Sequence, residues 1–200
     1  MPLIIIVVGV LLIIIVPLCW AIGAYNRLVK LRKQFKDTFT QIDVQLKRLH
    51  DLISNLVETA EGDLSYEHET LEAVIDARNH AQRAEKLAAA DPSNMLAMKN
   101  MMGAESSLSG DLEKLMMVVA ANPDLKTNQT MAQLTEELTT IHNEISVARQ
   151  QYNDTVMQYN TQREVFPSVV IANMFMFSEA PLFEITDETE KETSEVSFGD

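Results

Sequence analysis

The side chains of this sequence best suited to bind a metal or to act as a base or nucleophile are four histidines and a single cysteine. They are His50, His68, His80 and His142, together with Cys19. A zinc-protease helix needs two histidines four residues apart with a glutamate between them, and a di-iron bundle needs Glu-x-x-His pairs on facing helices. Neither spacing occurs, and one cysteine permits neither an intrachain disulfide nor a cysteine-based zinc site. We therefore predict no metal and no cofactor.

Nucleophile motifs are also missing from the sequence. It contains no Gly-x-Ser-x-Gly elbow and no glycine-rich phosphate loop. The stretch GAESSLSG, residues 103–110, groups serines between two glycines without a base nearby in sequence, which favours a kinked helix over a nucleophile. Asp76 and His80 lie four residues apart, which is typical of an exposed pair on a helix, and we interpret His50 as a surface residue in the same way. We predict no catalytic residues and a protein that is not an enzyme. An envelope enzyme subunit, with groups gathered from different helices, stays open as an alternative.

The stretch RLHDLISNLVETAEG, residues 48–62, places polar side chains around an apolar seam at helical spacing. Leu49, Ile53 and Leu56 form the seam, and Gly62 stands where a glycine commonly follows the end of a helix. The polar residues form a candidate docking patch at the membrane-distal end of this helix: Arg48, His50, Asp51, Asn55 and Glu58. The simpler alternative is that this end only packs within the bundle.

A long helix that carries this stretch is predicted from two heptad series. Alternating steps of three and four residues give an apolar seam, as in left-handed helical bundles. The two series are Tyr25, Phe39, Leu46 and Ile53, and Leu28, Phe35, Ile42, Leu49 and Leu56. Residues 24–61 contain no proline or glycine, so this helix and the preceding apolar segment are expected to be nearly continuous.

Three further long helices are predicted. The second begins near Tyr66 with Ser65 as its cap, the third covers residues 94–121, and the fourth extends from about residue 131 to 166. Their expected buried stripes are Leu71, Val74, Ile75, Ala81, Ala84 and Leu87 or Ala88; then Leu96, Met101, Leu108, Leu112, Leu115, Met116 and Val119; and then Met131, Leu134, Leu138, Ile141, Ile145, Ala148, Tyr152, Tyr159 and Phe166.

The apolar run at residues 169–177 has two interpretations. It is either a short terminal helix that covers one end of the bundle or a segment on the membrane surface, and its lack of a basic face weakens the second. With the long helices it predicts an all-α fold. We expect an elongated antiparallel bundle of four principal helices and a short terminal helix, behind one N-terminal transmembrane helix.

Residues 3–22 predict the transmembrane helix. They carry no charge and span ~30 Å, the thickness of the hydrocarbon core. A cleaved signal peptide is the alternative, but it needs a basic start and a shorter apolar run. Five basic residues follow within 15 positions: Arg27, Lys30, Arg32, Lys33 and Lys36. The positive-inside rule therefore predicts an external N-terminus and a cytoplasmic C-terminal domain at the bacterial inner membrane.

The charge distribution disfavours one class of partner and predicts the remaining domain boundary. The net charge of −13 disfavours nucleic-acid binding, and the last 23 residues hold eight acids against one lysine. We therefore predict an anchor at residues 1–24, a bundle at 25–177 and an acidic, disordered tail at 178–200. Expected partners are the lipid bilayer through residues 3–22 and an unidentified membrane or envelope protein, with self-association as a further alternative.

The soluble part resembles the bacterial LemA proteins. The resemblance lies in YNRLVKLRKQFKDTFTQIDVQLKRLHDLISNLVETAEG after a membrane helix, in HETLEAVIDARNHA, in NPDLKTNQTMAQLTEELTTIHNEISVARQQYNDTVMQYNT and in FPSVVIANMF. It covers about residues 25–183. The sequence departs from the family pattern at Leu49, where a second arginine is usual, and at Ser54, where a proline is usual. The resemblance implies a membrane-anchored antiparallel bundle without established enzymatic activity and supplies no catalytic residues. Relatives include a component of magnetosome membrane assembly, so the resemblance implies a role in organising membranes or membrane proteins. The anchored bundle, the acidic tail and the lack of an assembled catalytic set predict a single-pass membrane scaffold or interaction protein of the cell envelope, with a membrane-shaping, self-assembling module as an alternative.

Overall fold

The first helix joins the apolar N-terminal segment to the bundle without a break. The structure is a computed structural model that describes residues 2–62 and 67–184. Helix α1 (Pro2–Glu61) contains 60 residues, so it is about 90 Å long at 1.5 Å per residue. Pro17 lies inside this helix and does not end it. The predicted continuity between the membrane segment and the first bundle helix is confirmed.

Five shorter helices follow. They are α2 (His68–Ala90), α3 (Met95–Ala121), α4 (Pro123–Thr127), α5 (Gln129–Glu164) and α6 (Ser168–Met174). The residues that the structure describes contain no β-strand. The predicted all-α bundle of four long helices with a short terminal helix is confirmed, and α4 adds a single helical turn between the third and fourth long helices. Ser65, the expected cap of α2, lies outside the described residues.

Asparagine side chains fix where three of these helices begin. Asn94, Asn122 and Asn128 stand at the N-caps of α3, α4 and α5, and each side chain accepts hydrogen bonds from two backbone N–H groups of the following turn. Those N–H groups have no partner within the helix, so an asparagine at this position stabilises the helix start by about 1 kcal/mol. The caps therefore fix the residues at which the loops before α3, α4 and α5 end and these helices begin.

The four long helices form an antiparallel bundle. Helix α1 packs mainly against α5 and also against α2, while α2 packs against α3. Phe35 lies 5.1 Å from Tyr159 between ring centroids, and Phe39 lies 5.8 Å from Tyr152. Since the later residue of α1 meets the earlier residue of α5, these two helices have opposite directions.

The predicted seam of α1 is buried with one exception. Both heptad series lie in the core, with exposures of 5% or less from Leu28 to Leu56. Tyr25 is 37% exposed, and its ring contacts the rings of Phe175 and Phe177, which follow α6. The heptad pattern thus located the α1 core correctly except at its membrane-proximal end.

Three residues of the other predicted stripes are exposed. They are Ile75 at 42%, Leu96 at 67% and Phe166 at 83%. Ile75 is adjacent to the fully buried Val74, so it points to the neighbouring, outer face of α2. Leu96 lies in the first turn of α3, and Phe166 follows the end of α5. Of the two alternatives in α2, Ala88 is buried and Leu87 is exposed.

The C-terminal boundary predicted at Ser178 is wrong for residues 178–184, which pack as an extended segment along α5. Ala180 is 1% exposed and Phe183 is 4% exposed. The side-chain amide of Asn160 exchanges two hydrogen bonds with the backbone of Ala180, and the amide of Asn153 does the same with Phe183. The remaining residues of the predicted acidic tail, 185–200, lie outside the described residues.

Two tyrosines complete this attachment. The hydroxyl of Tyr159 donates to Ser178 O at 2.8 Å, and that of Tyr152 donates to Pro181 O at 2.9 Å. The tyrosines are seven residues apart on α5, a rise of about 10 Å, and three extended residues cover the same distance. The repeated Tyr-Asn pairs of α5 therefore match the spacing of the segment that they hold.

Candidate functional site

His50 lies in the centre of the bundle between two carboxylates. It is fully buried, so the prediction that it is a surface residue is wrong. Its Nε2 atom is 3.0 Å from Glu105 Oε1 on α3, and its Nδ1 atom is 3.2 Å from Glu85 Oε2 on α2. On α1 it shares one inward stripe with Leu46, Ile53 and Val57, which are buried at the same helical spacing.

The two carboxylates hold His50 in its charged form. Burial alone lowers the pKa of His50, but the hydrogen bond to Glu105 and the contact with Glu85 outweigh burial and raise the pKa to about 9. Glu85 is itself fully buried. Burial raises the pKa of Glu85, contact with His50 lowers it, and the Asp43 carboxylate raises it again. At neutral pH, His50 is therefore an imidazolium that neutralises charge in the bundle core.

Further charges extend this cluster across all four long helices. On one side, Lys47 Nζ pairs with Asp43 and lies 3.9 Å from Glu85 Oε1. On the other side, Arg149 of α5 interacts electrostatically with Glu105. We call these six residues the ionic core: Asp43, Lys47, His50, Glu85, Glu105 and Arg149. Each buried charge has an opposite neighbour, and the carboxylates of Asp43 and Glu85 also lie next to each other.

The ionic core is closed to a substrate at its centre. A general base must reach the proton that it removes, and neither His50 nor Glu85 is exposed to solvent. Both nitrogens of His50 already face carboxylates, so neither is free to exchange a proton with a substrate. In the described part of the chain, no group of three His, Cys, Asp or Glu side chains is arranged to hold a metal ion. This geometry fits an internal structural network.

A cleft between α3 and α5 reaches one end of this network. It has a volume of about 410 Å³, and Glu105 and Arg149 line it. The guanidinium of Arg149 lies 4.3 Å from the centre of the Phe183 ring, so the C-terminal segment forms part of the wall. Burial lowers the pKa of Arg149, and Glu105 opposes this change.

The serines and the histidine of this cleft do not form a nucleophile with its base. Ser106 and Ser109 line the cleft from α3, and His142 lines it from α5. The Nδ1 atom of His142 lies 2.9 Å from Leu138 O in its own helix. No hydrogen bond joins either serine to His142 in the described residues.

Four of the five residues in the predicted docking patch are exposed on α1. These are Arg48, Asp51, Asn55 and Glu58, and their exposure leaves the docking role itself a prediction. Arg48 reaches Glu144 of α5 at 2.8 Å. Within the described residues, neither Asp51 nor Glu58 has an ion-pair partner. His50 is buried and cannot belong to this surface.

Sequence comparisons add the family to these observations. Helix α1 is long and apolar enough to cross a membrane. Only 11% of its apolar 18-residue stretch is buried inside the protein. This is consistent with a membrane-anchored protein. A sequence model of the LemA family matches residues 38–198, and no curated protein matches the chain. LemA is not a known enzyme family. Because the matched residues make up most of the sequence, the chain belongs to the LemA family.

Proposed function

We propose that this protein is a single-pass scaffold of the bacterial inner membrane that binds another membrane or envelope protein through the membrane-distal half of α1. The continuity of α1 from Pro2 to Glu61 carries this proposal. If the membrane segment ends near residue 22, Asn55 is held about 50 Å beyond it at 1.5 Å per residue. A scaffold of this form presents its binding surface at a fixed height above the bilayer.

The binding surface that we propose consists of Asp51, Asn55 and Glu58. Steps of four and three residues place these side chains on one face of the helix, and all three are exposed. The two carboxylates are not neutralised by a described residue of the bundle, so they favour a partner with basic side chains. Arg48 lies at the edge of this surface, where its pair with Glu144 ties α1 to α5.

The bundle is proposed to lie in the cytoplasm. Arg27, Lys30, Arg32 and Lys33 follow the apolar segment closely and are exposed, and such residues are retained on the cytoplasmic side. Protease added to intact cells should leave the bundle uncut, whereas protease added after permeabilisation should remove it. Removal of the bundle from intact cells contradicts this orientation.

Photocrosslinking in cells tests the scaffold proposal. A photoreactive residue replaces Asn55, and a matched control replaces Asn100, which is an exposed asparagine on α3. We expect one dominant membrane protein to be trapped from position 55 and not from position 100. Crosslinks only between copies of this chain instead favour the self-assembling module. Equal or absent crosslinking at the two positions refutes this docking surface.

A further inference from the structure

The membrane-proximal end of the bundle exposes a large apolar surface. Residues 165–177 carry no charge, and six of their apolar side chains are at least 44% exposed. We call these six residues the apolar platform: Val165, Phe166, Val170, Met174, Phe175 and Met176. Phe166 and Met176 are more than 80% exposed. Exposed apolar side chains grouped in one short segment are typical of a contact with a protein or a membrane.

The platform lies beside the point where α1 leaves the predicted membrane segment. The Phe175 ring is 4.8 Å from the ring of Tyr25 between centroids. Helix α6 packs against α1. Since Tyr25 lies three residues beyond the segment predicted to cross the membrane, a rise of about 5 Å, the end of α6 lies close to the predicted boundary of the bilayer.

Basic side chains are exposed on α1 at this end of the molecule. Arg27, Lys30 and Lys33 are exposed on the first turns of α1 beyond Tyr25. None of them has an ion-pair partner among the residues that the structure describes. Segments that lie on membranes combine an apolar face with Lys and Arg that pair with anionic headgroups. The run at 169–177 has no basic residue itself, but α1 supplies these charges from the adjacent helix.

We propose that the apolar platform inserts into the interfacial layer of the same bilayer that α1 crosses, as a second and separate membrane contact. This inference rests on the membrane anchor of the proposed function. Lipid is favoured over a protein partner because the platform lies beside the anchor and because unpaired cations are exposed on α1 within about two turns of Tyr25. Interfacial apolar side chains enter a bilayer by about 5–10 Å. Two contacts, one through α1 and one through α6, fix the tilt of the bundle relative to the membrane.

Fluorescence quenching in nanodiscs tests this contact on the full chain. In a Cys19→Ser background, an environment-sensitive fluorophore is attached to Met176→Cys or to the control Met117→Cys, an exposed methionine at the far end of α3. Each disc contains one copy of the chain in phosphatidylcholine and phosphatidylglycerol, with or without brominated acyl chains. We expect brominated lipid to quench the probe at 176 and leave the probe at 117 unchanged. Iodide in the aqueous phase should quench the probe at 117 and leave the probe at 176 unchanged.

A third probe on the native Cys19 separates this inference from the anchor. If lipid quenches the Cys19 probe while iodide alone quenches the probe at 176, the anchor is present and the second contact is refuted. If neither probe responds to brominated lipid, both proposals fail. A probe at 176 that neither quencher reaches is covered by protein, which also overturns the lipid contact. Phe166→Cys provides an independent repeat at the other highly exposed position, because Met176→Cys alone can disturb the end of α6.

Discussion

The free energy of unfolding should fall as the pH rises from 6.5 to 9, because His50 is charged in the folded protein. Contact with the two carboxylates raises the pKa of His50 from its ordinary value of 6.5 to about 9. In this pH range the folded protein retains a proton that the unfolded chain has released. The stabilisation is therefore fully present below pH 6.5 and is lost as the pH approaches 9.

The size of this effect follows from the pKa difference. Each pH unit over which one extra proton is bound changes the unfolding free energy by about 1.4 kcal/mol. The expected total is about 3 kcal/mol, a large share of the 5–15 kcal/mol that is usual for a domain. Urea unfolding of the detergent-solubilised chain, followed by far-ultraviolet circular dichroism at several pH values, measures it.

Two variants assign the pH dependence to His50. His50→Gln removes the buried cation that contacts both Glu85 and Glu105, so the variant should be less stable than wild type by about 3 kcal/mol at pH 6.5. It should then lose less further stability than wild type toward pH 9. In the double variant Glu85→Gln, Glu105→Gln, His50 remains buried without its carboxylates, and its pKa should fall below 6.5. The stability of that variant should then decline on acidification, the opposite direction to wild type.

Comparing the pH dependence of stability in wild type with that in the two variants removes the contribution of the other histidines, because these are the same in all three chains. A wild-type stability that stays constant between pH 6.5 and 9 refutes the assignment of charge to His50. An alkaline decline of unchanged size in the double variant refutes the role of Glu85 and Glu105.

Three smaller predictions concern the C-terminal segment and the helix caps. Phe183→Ala should cost about 3 kcal/mol of stability by removing a buried ring, and limited proteolysis should then cut near residue 183 faster than in wild type. Tyr152→Phe should cost about 1 kcal/mol through loss of the hydrogen bond to Pro181 O, with helix content by circular dichroism unchanged. Asn128→Ala should cost about 1 kcal/mol by uncapping α5, while Asn128→Ser should retain most of the stability in the same urea titration. A loss from the serine variant as large as that from alanine contradicts the cap.

Heptad periodicity predicted the α1 core because that core depends on local spacing alone. A residue that recurs every seven positions returns to the same side of a helix in a bundle, whichever helix it meets. The burial of His50 depends on something else. A histidine beside a seam is stable there only if other helices supply carboxylates, and Glu85 and Glu105 come from α2 and α3. The sequence contained one indication, since Glu85 lies between the buried Ala81 and Ala88 on the inner stripe of α2.

The attachment of residues 178–184 was missed because acidic composition was given more weight than pattern. The pairs Tyr152-Asn153 and Tyr159-Asn160 repeat after seven residues, and an asparagine amide can pair with a backbone N–H and C=O at once. Two such pairs on one helix indicate a partner strand with free backbone groups. The apolar residues Leu182 and Phe183 within the acidic region were the matching signal.

The ionic core gives the bundle a property that apolar seams do not provide. If α1 moved by one heptad relative to its neighbours, its apolar positions would meet apolar positions again, and the cost of that change would be small. The same movement would carry His50 about 10 Å away from Glu85 and Glu105. It would leave buried charges without partners, which costs several kcal/mol. The cluster therefore favours one register of α1 within the bundle. Because the membrane segment belongs to α1, that register also fixes how far the other helices lie from the membrane segment.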